Sequence, residues 1–184
     1  MKKIILLVCV FVSTQTHAGL GDAIGDVIAH LALKRKVDKL YDKAISCNPL
    51  EVDHKYNINV TDWRVLEPEA PHWNMLNQFS TVAPQARDYA MKKGGKDKVI
   101  HCFAGCFSAK KLDLTSAIYL GWYKELMDAS DCSLNSHFEK ADDEATHAGA
   151  IIGSKGRDCD SFCARDDIKN LDGNEMLEAA LREE

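Results

Sequence analysis

Residues 97–106 read DKVIHCFAGC, a helix-like run that carries a carboxylate, a histidine and two cysteines. Val99, Ile100, Phe103 and Ala104 recur at the spacing of a helix turned toward a core. Buried charge is costly unless it is paired. Asp97 and His101 therefore either satisfy other buried groups or belong to a site. Cys102 and Cys106 are four apart and share a face. That geometry suits bridging to a second segment better than bridging to each other.

The second segment is visible further on, where Cys159 and Cys163 repeat the spacing. Two such pairs on antiparallel segments join outer with inner, Cys102 with Cys163 and Cys106 with Cys159. Cys47 and Cys132 are then left for each other. A four-thiolate metal site is the competing reading, and it needs reduced, deprotonated cysteines. The N-terminus argues against that. MKKIILLVCVFVSTQTHAG has two lysines, an apolar run from Ile4 to Val12 and a small-residue site ending at Ala18. These are the parts of a secretory signal, and an exported chain with an even set of cysteines reads as disulfide-bonded. Val8 stands before Cys9 where a lipid-anchored chain would carry a small residue, so cleavage is expected after Ala18. No apolar run in the sequence is long enough to cross a bilayer.

The chain has 184 residues and a formal charge of −5, and loss of Lys2 and Lys3 with the signal makes it more acidic. An acidic surface is a poor match for polyphosphate, which excludes nucleic acid as the expected partner. After the signal (1–18), the sequence divides into an N-terminal part (19–95) and a C-terminal helical core (96–184). Ile24, Val27, Ile28, Leu31 and Ala32, then Val37, Leu40, Tyr41, Ala44 and Ile45, give one helix over 20–46. Its basic face (Lys34, Arg35, Lys36, Lys39, Lys43) reads as a solvated outer face, the alternative being a basic amphipathic helix that lies on an anionic membrane. Asn48-Pro49 ends it, and 50–73 reads as an ordered arm in which EPEAPHW rules out regular structure. A further helix is expected over 74–91, and the glycines of KKGGK mark a boundary. Helices are then expected over 97–111, 115–130, 139–154 and 166–182, with SDCSLNS and GSKGRDCDSFC as loops. The fold class is all-α, an irregular helical bundle with an N-terminal amphipathic helix and an extended loop arm, stapled by disulfides.

Three of these helices carry a candidate cluster. Asp97 and His101 lie four apart on the first. Lys124, Glu125 and Asp128 sit in GWYKELMD on the second. On the third, Asp142, Ala145, Thr146, Gly149 and Gly153 share a face whose small residues let it pack backbone-close, carrying Asp142 and Thr146 toward the other two. The three blocks are Asp97-Lys98 with His101, Gly121 with Lys124-Glu125-Leu126 and Asp128, and Asp142 with Gly149-Ala150 and Gly153. Over about residues 96–155 they resemble the YfiM family of small bacterial envelope proteins and, more distantly, VanZ-type proteins. Thr146 stands where that family usually carries a second Asp or Asn. The resemblance implies helical hairpins that share a polar cluster at an envelope location, and it implies no settled activity.

Two functions fit these residues. In the first, Asp97, His101, Lys124, Glu125, Asp128 and Asp142 pair internally and set how three helices meet. The protein then acts through its surfaces, on an envelope protein or a lipid or cell-wall ligand of the periplasm or exterior. In the second, Asp97 orients His101, Glu125 and Asp128 supply a base or bind a divalent cation, and Asp142 completes the set. That arrangement would hydrolyse a lipid or cell-wall ester or amide. No nucleophile motif, phosphate loop or zinc signature sharpens it, and the sequence does not identify the cofactor.

Overall fold

The computed structural model describes residues 17–47, 52–53, 58–133 and 137–183. Seven α-helices run through these residues: α1 (His17–Cys47), α2 (Trp73–Lys93), α3 (Asp97–Lys111), α4 (Leu114–Ser130), α5 (Lys140–Ser154), α6 (Asp160–Cys163) and α7 (Gly173–Arg182). The all-α, disulfide-stapled class holds. Between α1 and α2 lie a two-residue antiparallel ladder, β1 (Val52–Asp53) with β2 (Ile58–Asn59), and a 3-10 segment, Val60–Leu66. The expected export signal, with Cys9, falls outside the described residues except for His17 and Ala18, which open α1. No helix among the described residues is long and apolar enough to cross a membrane.

Helix α5 is the centre of the fold, and its composition explains why. An added Cβ at Gly149 would collide with the Cys102 carbonyl, and one at Gly153 with the Cys106 carbonyl. From the other side, a Cβ on Gly105 would collide with the Thr146 carbonyl. So α3 and α5 touch backbone to backbone, which only hydrogen at these positions permits. Gly173 meets the Ala141 carbonyl in the same way and seats α7 on the start of α5. Around this contact Val99, Phe103, Ala148, Ile152, Phe162, Ile168 and Met176 form one core. A second core joins α1 to α4 through Val37, Tyr41, Trp63, Trp122, Leu126 and Phe138. There Trp63 stacks on Phe138 at 5.0 Å, and the Trp122 indole donates to the Trp63 carbonyl at 3.4 Å.

Three disulfides join Cys102 to Cys163, Cys106 to Cys159 and Cys47 to Cys132, with Cα separations of 5.8, 5.8 and 5.2 Å. The first two tie α6 to the buried face of α3, and the third ties the end of α1 to the loop after α4.

Three expectations are corrected. The last helix begins at Gly173, not 166, because Asp172 and Glu175 form a capping box there. Residues 166–170 are turns. GSKGRDCDSFC is not all loop, since its end forms α6. Finally, the apolar positions at the start of α1 do not face a core: Val27, Ile28 and Leu31 are 59%, 63% and 52% exposed. Helix α1 has 31 residues, and its buried stripe is Val37, Tyr41 and Ala44. Nearer its start it is held by His30 on the Pro71 carbonyl (2.7 Å) and Asp26 on His72 (2.9 Å).

Candidate functional site

The close approach of α3 to α5, with α4 alongside, gathers side chains from three helices around His101. A Cβ added to Gly121 on α4 would collide with the Thr146 side chain, so Thr146 sits where the three helices meet. The His101 Nδ1 is 3.1 Å from Thr146 Oγ1 and 3.9 Å from Glu125 Oε1, and its Nε2 is 3.5 Å from Asp142 Oδ2. The His101, Glu125 and Asp142 side chains are only 14%, 2% and 7% exposed. Lys98 donates to Glu139 at 2.8 Å and to Asp142. Lys124 lies 3.4 Å from Glu125 and is also paired with Asp128. The second oxygen of Glu125 accepts the backbone N–H of Glu139 at 3.3 Å, at the start of α5. A carboxylate there meets unpaired helix donors and the positive end of the dipole.

Burial dominates the electrostatics. It lowers the His101 pKa to about 4, with Lys124 acting in the same direction, so the imidazole is neutral at pH 7. It pushes the Glu125 carboxyl well above the usual carboxylate range, against the pull of Lys124. It also raises Asp142 to about 6, against the hydrogen bond from Lys98. For Lys98, burial acts to lower the pKa but is outweighed by the bonds to Asp142 and Glu139, which hold the ammonium charged.

The sequence-derived set is therefore partly assembled. His101, Glu125 and Asp142 meet, and Lys124 reaches them from α4. Asp128 is a third exposed and sits at the rim, on Lys124. Asp97 is largely exposed. The hydroxyl of Thr146, not the Asp97 carboxylate, is hydrogen-bonded to Nδ1 of His101, which corrects the assignment of Asp97 as its orienting partner. Asp97, His101 and Asp142 nevertheless offer ligand atoms within 4.8 Å of one another, the geometry of a possible cation site. The sequence reading named Lys98 in the YfiM-like block but left it, like Glu139, out of the polar cluster. Lys98 stands three residues before His101, a helical neighbour, so that spacing was a usable signal. Glu139 lies before the helix, where no periodicity reaches.

Two surface hollows lie elsewhere. One, near α7, is lined by Arg165, Ile168, Leu171, Glu175 and Arg182; the other, before α3, by Lys93, Lys96, Val99 and Phe103. No family model, curated protein or solved structure matches this chain.

Proposed function

We propose that the chain is an exported helical protein of the cell envelope that acts by binding, and that the polar cluster is the clamp joining α3, α4 and α5. One observation carries this reading: the buried charges of the cluster are one another's partners. Lys98 serves Asp142 and Glu139, Lys124 serves Glu125 and Asp128, and both ring nitrogens of His101 face protein groups. Such a network specifies register more than it adds stability. Three disulfides support an oxidising compartment. The resemblance to YfiM supports an envelope location.

A second reading, hydrolysis of a lipid or cell-wall ester or amide, draws support from the three convergent ligand atoms and from the shifted His101 and Asp142, since shifted groups cluster at active sites. Elemental analysis of protein purified from the periplasm, with an esterase and amidase panel, separates the two. The clamp reading expects no stoichiometric metal and no turnover. Metal at one per chain overturns the clamp as a closed set of charges, and turnover abolished by Asp142→Asn while the fold persists establishes the hydrolase instead.

A further inference from the structure

One line on α1 has no place in the bundle. Val27, Leu31, Arg35, Lys39 and Lys43 follow one another at four-residue intervals, a line that winds by about 40° per step around the helix, and all are exposed. Residues four apart stack on one helix face. The outward face is thus apolar at its start, where exposed Ile28 and Ala32 widen it, and basic further on, at Arg35 and Lys39. The opposite face is the one in contact with the body, through Val37, Tyr41 and Ala44. Of the carboxylates between Val27 and Lys43, Asp38 is engaged by Arg64 at 2.7 Å, leaving Asp42 as the exposed one. A basic stripe on a chain of formal charge −5 is a local feature, not a reflection of overall composition.

We propose that this face of α1 docks on an anionic lipid surface. Val27, Ile28 and Leu31 enter the boundary between headgroups and acyl chains, while Arg35 and Lys39 lie over the lipid phosphates. Interfacial helices combine these two features, apolar side chains on the membrane side and cations that reach headgroups. Long Lys and Arg stems suit this placement because they cover apolar surface while their charges stay hydrated. A second copy of the chain fits less well, because stacking two such stripes in parallel sets cation against cation. The assignment takes from the preceding reading only that the surface carries the function.

Vesicle flotation of the whole, oxidised protein tests it. Vesicles with about 30 mol% phosphatidylglycerol in phosphatidylcholine should carry the protein, and pure phosphatidylcholine should not. Binding should weaken about tenfold or more when salt rises to about 0.5 M. Val27→Ser with Leu31→Ser, and separately Arg35→Glu with Lys39→Glu, should each weaken it about tenfold with unchanged melting temperature, as expected for exposed positions. Leu181→Ser, an exposed apolar site on α7, serves as the neutral control. Equal binding to both vesicle types, binding to neither, or a dimer that the Val27/Leu31 variant turns into a monomer overturns the proposal. The clamp is tested separately, by unfolding of His101 variants, so either idea can fail alone.

Discussion

His101 is where the cluster is most exposed to test. Its removal leaves Glu125, Asp142 and Thr146 facing a gap, and an unsatisfied buried polar group costs about 1–3 kcal/mol. His101→Ala should therefore lower unfolding free energy by roughly 2–4 kcal/mol in urea titration. His137→Ala, at an exposed residue 3.3 Å from Glu139, should change it by less than about 0.5 kcal/mol. Acid provides a second test. The folded value of about 4 lies below the ordinary 6.5, so the neutral imidazole costs nothing above 6.5. Stability is lost as pH falls from there toward 4, while the unfolded chain takes up the proton. Asp142 acts oppositely: its value is raised to about 6 from 3.8, so its contribution is present in acid and lost as pH rises through 6. Comparison with His101→Gln isolates the imidazole. The advantage of wild type over this variant should shrink by about 2 kcal/mol between pH 7.5 and pH 5. A gap that stays constant, or widens in acid, refutes the neutral buried imidazole. At this scale much was legible, because Asp142 and Glu125 sit on helices whose small or apolar faces turn them inward. Lys98 and Glu139 escaped because long side chains reach the site from its flanks.

Among the elements, the close contact of α3 with α5 makes glycine irreplaceable at some positions and dispensable at others. Gly149→Ala drives a methyl into the Cys102 carbonyl and must separate two helices to fit. It should cost about 3 kcal/mol or more, read as a drop in melting temperature. Gly156 also lacks a side chain, but nothing lies within 4 Å of a Cβ built there, and its φ is +71°. Gly156→Ala should cost only about 1 kcal/mol, the backbone penalty of the left-handed region. Equal losses at the two sites contradict the packing account. Helix α3 was legible at both ends, since Gly94 and Gly95 precede it and Asp113 caps its successor by accepting from the Ser116 N–H. The start of α7 was misread because Ile168 and Leu171 continue the apolar period through a run of turns. The capping pair Asp172 and Glu175 was the better signal. The start of α1 was misread for a different reason. Periodicity shows which face is apolar, but not how far along a long helix the neighbouring helices extend.

For the molecule as a whole, the bridges divide by accessibility. Cys102, Cys106, Cys159 and Cys163 are buried in the main core, whereas Cys132 is exposed and has a positive φ of 62°. Thiol exchange requires access to sulfur. Mild reductant should therefore open Cys47–Cys132 first, with the other two opening only on unfolding; alkylation and peptide mapping over time will show the order. Replacing Cys47 and Cys132 together by Ser should lower stability by about 3–5 kcal/mol through the unfolded chain. Early alkylation of Cys102 or Cys106 contradicts this layout. The connectivity was legible because paired i, i+4 cysteines on two segments leave few ways to join them. Membership of the second core was not, since Trp63 lies in an arm whose irregular sequence gives no sign of what it packs on.

The glycine contact also bears on how the molecule breathes. Where α3 and α5 meet, water has no room to approach the backbone, and the Cys102–Cys163 and Cys106–Cys159 bridges hold α6 against the same helix. Amides there can exchange with solvent only when the pair comes apart entirely, whereas those near the start of α1 open locally. Deuterium uptake should therefore proceed inward from α1, and the last protons retained should belong to the turns around Gly105 and Gly149.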